Sequence, residues 1–373
     1  MGSQLLAEYN GAHQAVRRRC VVTGGRGFMA RHLVAALLRS GEWFVRVTDL
    51  TAAIELGRGD TEELLGDALQ DGRAVYSSVD VCSLGQLIRA FEGIDVVFHT
   101  AAADPSKDNL ELHYKVNVEG TRNVIDACKI CNVKRLIYTS SSVVVFDGFH
   151  GLLNVNESVP YPDKFPDAYG QTKAEAEKLV LKANSLNDLV TCCIRPGNIF
   201  GPGDHVIPIL DHYGRIHFII GEGNNYDDFV YVENVVHSHL CAEKTLSTKE
   251  GAKISGGKAY FITNMEPVNL WCFAYMARTE LGYKRPLEIR IPTLVIMPII
   301  YVLELTYKLL LHHYGMRQPQ LLTMARVKYL TLNRTFSSDK AVEELGYKPI
   351  VSLRDGLRIA VESYIRFKDN VLF

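Results

Sequence analysis

A doubly wound parallel α/β sheet with a smaller C-terminal lobe is the fold class this chain predicts, and three observations predict it. Residues 20–49 read as strand, tight turn, helix, strand. The same alternation continues to about residue 201. Small or hydroxylic residues stand at the ends of several of those strands, where such a sheet opens its ligand crevice.

In the first unit, Cys20–Val22 is a short apolar run ending at a glycine turn. Leu33, Val34, Leu37 and Leu38 then fall on one helical face, and Phe44–Thr48 is a second apolar run ending in Asp49. The glycine spacing is G-x-x-G-x-x-A over Gly24, Gly27 and Ala30. Gly24 allows the turn. Gly27 lets backbone approach a pyrophosphate at the helix N-terminus, where Phe28 and Met29 begin the helix. Ala30 keeps helix and strand close. Asp49 stands where an acid binds both ribose hydroxyls. The unit is Rossmann-type and built to hold a dinucleotide. A glycine turn alone occurs in many α/β proteins; the flanking strand and helix and the distance to Asp49 favour the cofactor.

A helix is expected around Thr61–Gln70 and a third strand at Ala74–Ser77. Asp80 and Val81 just beyond suit an adenine pocket, the acid accepting from the exocyclic amine and the valine packing on the ring. Leu84–Phe91 reads as helix. Asp95–His99 is a buried fourth strand ending in Thr100-Ala101-Ala102-Ala103, whose small side chains leave room for a ligand. Asn117 opens a helix running to about Cys131, and Arg135–Thr139 is a fifth strand followed by Ser140-Ser141-Ser142. Tyr169–Leu181 is a long helix. Val190–Ile194 is a sixth strand ending in Arg195-Pro196-Gly197-Asn198. Ala101, Ala102, Asn117, Pro196 and Asn198 are therefore candidate cofactor contacts.

Past about Pro202 the pattern loosens. Strands at Phe218–Gly221, Phe229–Val232 and Tyr260–Thr263 are expected, with helices from Glu233, over Asn269–Leu281, Ser338–Leu345 and Leu353–Lys368. They are expected to form a smaller lobe over the sheet's C-terminal edge. The division is a loose arm over 1–16, a dinucleotide-binding domain with the candidate catalytic residues over 17–201, and a mainly substrate-binding lobe over 202–373. Within the last, Ile291 to Leu311 is strongly apolar but interrupted by Pro292, Pro298, Glu304 and Lys308. Its uncharged run, Ile291 to Leu303, is short of the roughly 20 residues that a bilayer crossing needs. It reads either as a helix lying in the membrane interface or as a buried wall of the substrate pocket.

Composition excludes several classes. The 373 residues are 47% hydrophobic with a net charge of −1, so no basic excess points to nucleic acid. The 8 cysteines are scattered through apparent core segments, as in a reducing compartment. Cys128-x-x-Cys131 has no second pair, and no metal cluster stands out. Met1–Gln14 lacks the pattern of a secretory signal.

The chemistry centres on Tyr169 and Lys173, one turn apart on a helix face. A free phenol has a pKa of about 10, and a base should titrate nearer the working pH. A positive charge beside the phenol favours phenolate. Lowering the pKa by about three units requires roughly 4 kcal/mol of differential stabilisation. Tyr364 and Lys368 share the spacing but lie in the last helix with no strand-end serine upstream, which marks an ordinary amphipathic helix. Tyr169 differs because Ser140-Ser141-Ser142 closes a sheet strand 28 residues before it, counted from Ser141. A serine hydroxyl there can hydrogen-bond the reacting oxygen while Tyr169 moves the proton; spacing leaves open which of the three does so.

Thr23-Gly24-x-x-Gly27-x-x-Ala30, Asn117-Val-x-Gly-Thr121, Tyr138-Thr-Ser-Ser141, Tyr169-x-x-x-Lys173 and Arg195-Pro196 resemble the extended short-chain dehydrogenase/reductase superfamily, most nearly its 3β-hydroxysteroid dehydrogenase branch. Val21–Phe28 with Ala30–Val34, Val144–Gly148, Cys192–Pro196, Phe229–His237 and Phe261–Pro267 resemble the decarboxylating sterol-4α-carboxylate 3-dehydrogenases, particularly the plant type. The resemblance implies Ser141 as the catalytic serine, Tyr169 as acid/base, and Lys173 as ribose binder and pKa modifier. It implies oxidation of a sterol 3β-hydroxyl by NAD. The resulting β-keto acid loses CO2 readily, without a metal or extra base. Asp49 favours NAD, since a carboxylate repels a 2′-phosphate; Arg26 in the turn can partly reverse that preference, so NADP stays open. It further implies work at the endoplasmic reticulum membrane with the active domain facing the cytosol; if segment 291–311 is core, the protein is cytoplasmic. A homodimer is left open. Two departures matter. Val143 stands where several relatives carry a small hydroxylic residue. Some plant members also carry a C-terminal reticulon-type region, and this chain stops at Phe373, which leaves membrane attachment to 291–311. The competing readings are a nucleotide-sugar epimerase or dehydratase on the same scaffold, and a non-enzymatic dinucleotide sensor. The first needs charged groups for a diphosphate in the smaller lobe; the second typically loses the Tyr or Lys that are present here.

Overall fold

The computed structural model describes residues 17–57, 59–107, 109–212, 216–284, 287–309 and 323–369. The expected arm over 1–16 and the end of the apolar stretch, 310–311, lie outside the described residues.

Seven strands form the main sheet: β1 (Arg18–Thr23), β2 (Trp43–Asp49), β3 (Ala74–Ser78), β4 (Val96–His99), β5 (Arg135–Thr139), β6 (Val190–Pro196) and β7 (Lys258–Ile262). All pair in parallel, in the spatial order β7-β6-β5-β4-β1-β2-β3. The winding reverses between β1 and β4, which places the crevice at their carboxyl ends. A parallel sheet covered on both faces needs apolar side chains on both, which is why β4 is buried at every position.

Helices α1 (Phe28–Arg39), α2 (Asp60–Gln70), α3 (Leu84–Phe91), α4 (residues 110–130), α5 (Ala168–Lys182) and α6 (Val232–Leu246) supply that cover. Leu33, Leu37, Val235 and Val236 fill one core layer with β1 and β2. Leu87, Val124, Ala176 and Val180 fill the opposite layer.

Three expectations change. Residues 258–262, assigned to the lobe, join the main sheet beside β6 in the register Lys258↔Cys192. Tyr260, Phe261 and Ile262 have 0% exposure there, so the strand hides an edge that β6 otherwise presents. α6, also assigned to the lobe, packs on α1. The helix expected to open at Asn117 starts at Leu110, capped by the Asn109 side chain accepting from Leu112 N. It passes through a π-type stretch, Tyr114–Glu119, which puts Asn117 in mid-helix. Finally, the apolar segment follows a strand, Leu287–Ile291, paired with Ile216–Ile220. It then forms α7 (Thr293–Leu309), with Pro298 inside it.

The smaller lobe is built on a four-stranded sheet in the order 268–269, 226–227, 334–336, 152–155. Asp227 and Arg334 form an ion pair in it, both nearly inaccessible. α8 (Met324–Thr331) packs beside α7.

Asn234, in α6, closes the fold at its C-terminal side and has 0% exposure. Its amide oxygen accepts from Ile350 N at 2.8 Å and Val351 N at 3.0 Å. Its Nδ2 donates to Asn264 Oδ1 at 2.7 Å and the Val351 carbonyl at 2.8 Å. Asn234→Ala strands these buried groups and should lower the unfolding free energy by about 2–3 kcal/mol in denaturant titration; a loss within error would mean that the 350–351 segment re-pairs elsewhere.

Candidate active site

The glycine turn is shaped by close approach. Gly24 adopts φ +63°, and a Cβ there would stand 2.7 Å from the Ala101 Cα. That explains both the glycine and the alanine at the end of β4. Gly27 precedes α1 with no side-chain cap, and no acidic residue lies in the first turn. The N–H groups of that turn are thus left for an anion. Met29 packs its side chain into the core and Phe28 lies edge-on to His32, at 5.8 Å. These two residues can offer a dinucleotide their backbone more than their side chains.

Asp49 ends β2 with its carboxylate fixed by the Arg26 N–H at 2.9 Å and the Leu50 N–H at 2.7 Å. The Arg26 guanidinium is committed elsewhere: Nη2 donates to Glu62 at 2.8 Å and to the Glu55 carbonyl at 2.9 Å. An uncapped helix N-terminus, a glycine turn too tight for a Cβ and a strand-end carboxylate fit a dinucleotide.

Other candidate side chains already have partners within the protein. Val81 is 7% exposed and packs under Gly120, where an added Cβ would meet it at 2.8 Å. Asp80 caps its own turn, accepting from Cys82 N at 2.8 Å. Asn117 is 1% exposed; it accepts from Ala103 N at 2.8 Å and donates to Thr172 Oγ1 at 3.0 Å. It thus ties the end of β4 to α5. Asn198 donates Nδ2 to Asp227 Oδ2 at 2.8 Å, which links the end of β6 to the smaller lobe. Pro196 is buried at that strand end, and Ala101 and Ala102 line the β4 end at partial to full exposure.

Ser141, Tyr169 and Lys173 converge. Asp167 caps α5 by accepting from Gly170 N at 2.8 Å, which fixes the first turn that carries Tyr169. Of the three serines, Ser141 is the one whose hydroxyl acts on the Tyr169 phenol, drawing its pKa down. Ser140 and Ser142 turn inward, at 3% and 4% exposure. Lys173 is 2% exposed; its Nζ donates to the Thr139 carbonyl at 2.6 Å and sits 4.2 Å over the Tyr138 ring.

Here the electrostatics depart from expectation. Lys173 is expected to lower the Tyr169 pKa. Instead, burial pushes the phenol up to about 12, with the Ser141 hydrogen bond pulling it down and Asp167 pushing it up. Burial also takes Lys173 down to about 7, against the pull of Glu177. Both charges are disfavoured in a dry site, so each needs a partner to ionise.

Sequence reasoning missed the residues behind this pair. His99 is clamped between Thr23 Oγ1 at 2.8 Å and Thr121 Oγ1 at 2.9 Å, neutral because burial lowers it to about 3. His113 lies against Tyr169, rings 6.0 Å apart. Tyr329 reaches over from α8, its hydroxyl side facing Asp167 and Tyr169. Glu177 had a legible signal, the four-residue step from Lys173; the others had none, since distant segments bring them in.

The second Tyr-x-x-x-Lys pair does other work. Tyr364 and Lys368 both donate to Asp211 Oδ2, at 2.8 and 2.6 Å, fastening the last helix.

The profile of the 3-beta hydroxysteroid dehydrogenase/isomerase family matches residues 21–293. The chain is 52% identical to 3beta-hydroxysteroid-dehydrogenase/decarboxylase isoform 1 of Arabidopsis thaliana, over 94% of this chain and 80% of that protein. It is 36% identical to the decarboxylating sterol-4-alpha-carboxylate 3-dehydrogenase of Homo sapiens, over 96% of this chain and 91% of that one. Among solved structures, an epimerase from Methanothermobacter thermautotrophicus aligns with a TM-score of 0.72 at 22% identity, over 95% of this chain and 94% of that one. That likeness speaks for the fold alone.

Proposed function

The chain belongs to the 3-beta hydroxysteroid dehydrogenase/isomerase family, and on that premise we propose that it oxidises the 3β-hydroxyl of a sterol with a nicotinamide dinucleotide. The preferred substrate is a 4α-carboxysterol, which loses CO2 once the 3-ketone forms; the decarboxylating relatives support this step. The observation that carries the reading is that Tyr169 and Lys173 share one helix at the end of β5, with Ser141 acting on the phenol and Lys173 holding the Thr139 carbonyl.

When bound, the dinucleotide supplies the hydride acceptor. Tyr169 Oη takes the proton of the substrate hydroxyl. Ser141 Oγ, which already acts on that phenol, holds the same substrate oxygen as it becomes a carbonyl. Lys173 lends positive charge to the phenolate and an N–H to the ribose. The site's dryness strengthens both effects.

NAD is preferred to NADP. Asp49 repels a 2′-phosphate, and the Arg26 guanidinium that could offset it is held by Glu62, a residue at 3% exposure.

The protein also rests on a membrane surface through α7. Ile296 and Ile300 face the core at 8% and 0% exposure, while Leu294, Val295, Ile299, Tyr301 and Val302 stand out at 50–90%. No helix among the described residues is long and apolar enough to cross a membrane. A one-sided apolar face suits an interfacial helix, with sterol delivered from the bilayer at the endoplasmic reticulum.

Incubation with NAD and a 4α-carboxy-3β-hydroxysterol in detergent should yield NADH by absorbance and, by mass analysis, a 3-ketone one CO2 lighter. NADH with a plain 3β-hydroxysteroid alone would discard the decarboxylation. Tyr169→Phe should cut turnover at least about 100-fold while dinucleotide binding persists; lost binding would make the tyrosine structural. Asp49→Ala should weaken NAD more than NADP in binding titrations, and an equal loss would place the ribose elsewhere. Leu294→Glu/Val302→Glu should abolish co-sedimentation with phospholipid vesicles; unchanged pelleting would assign the face to another contact.

A further inference from the structure

The surroundings of the Lys173 ammonium are almost all neutral. The Thr139 carbonyl accepts from it and the Tyr138 ring lies beneath it. From β4, His99 is neutral, lowered to about 3 by burial and by Lys173 itself. From α6, burial lowers His239 to about 4; its Nε2 accepts from the Thr139 hydroxyl at 2.8 Å. From β6, burial keeps the Cys193 thiol protonated. From α4, His113 abuts Tyr169. Asp167, at the start of α5, acts on Tyr169.

Glu177 is the exception. It lies one turn beyond Lys173 on α5, with 0% exposure. Its Oε1 accepts from Arg195 Nη2 and from the Tyr161 hydroxyl, each at 2.6 Å, and Arg195 Nε donates to Oε2 at 3.0 Å. Arg195, on β6, is 4% exposed. A buried ion pair is weak evidence of stability, because desolvating two charges offsets their attraction. Its placement suggests another role.

We propose that Glu177 is a positioning residue for the reaction: locked by Arg195 and Tyr161, its carboxylate keeps the Lys173 ammonium charged in an otherwise neutral, dry site. This rests on reading Tyr169 and Lys173 as the proton-handling pair. Burial is the larger influence on Lys173 and leaves it at about 7; the Glu177 charge is the first that opposes it. Without Glu177 the amine is neutral across the working range, and a Tyr169 phenolate loses its counter-charge.

Losing a neighbouring negative charge lowers an amine pKa, so the basic limb of the kcat/KM–pH profile should move to lower pH. For Glu177→Gln the expected shift is about one unit or more. Arg195→Met leaves the carboxylate unneutralised and should move that limb up. Packing damage would lower rates at every pH without opposite displacements. Each single substitution strands a buried charge, so Glu177→Gln/Arg195→Gln serves where the singles do not fold. It too should move the limb down, by less, because it is Glu177 that acts on Lys173 in the wild-type site. A second readout needs no turnover: trace acetylation with acetic anhydride across pH, with the Lys173 peptide quantified by mass spectrometry, reports the neutral amine directly. A wild type that shows a labelling midpoint but no dehydrogenation would sink the functional reading and leave this one to the labelling. Unchanged labelling midpoints in folded variants overturn it.

Discussion

An ammonium group held out of water is the constraint on which the site turns. Taking such a charge into a protein interior costs several kcal/mol, and only close, well-aimed partners offset it. Lys173 therefore ties α5 to β5. Its nitrogen needs the carbonyl of Thr139 at the end of β5 and the face of Tyr138 one residue earlier. Its helix must lie close against the sheet, and Ala174 and Ala176, both with 0% exposure, allow that approach. Asn117 and Thr172 then pin α5 to α4, and through Ala103 to the strand end beside the glycine turn. The same dryness that threatens the lysine raises the phenol of Tyr169, so the two groups favour each other's charge only together.

The second constraint is the sheet edge. β6 carries Arg195, which holds Glu177, and just past its end Asn198, which holds Asp227. An exposed β6 would leave its backbone groups facing solvent; β7, contributed by residues 258–262, closes that side. The chain therefore returns from the smaller lobe to complete the larger domain before it builds the rest of the lobe. Asp227 joins the two parts, accepting from Asn198 on one side and pairing with Arg334 on the other.

α7 shows how one segment can serve two surroundings. Ile296 and Ile300, four residues apart, anchor it to the body of the protein, while most of its other apolar side chains point outward. The apolar run by itself cannot say which of its side chains face the body of the protein; the burial of Ile296 and Ile300 does.

Much of this was legible in the amino-acid order, because local rules govern it. Strand and helix periodicity marked β1 to β6 and α1 to α3. The G-x-x-G-x-x-A spacing located the turn, and the four-residue step placed Tyr169 and Lys173 on one face. Those features depend on backbone geometry within a few residues. Tertiary structure decided what depends on distant contacts. It separated Ser141 from its neighbours, since Ser140 and Ser142 are buried while Ser141 acts on the phenol. It made Asn117 and Asn198 tethers, because their amides find nearer partners in protein. It also set the charge balance at Lys173, since burial, the dominant influence on that amine, exists only once sheet, helix and the Glu177–Arg195 pair have come together.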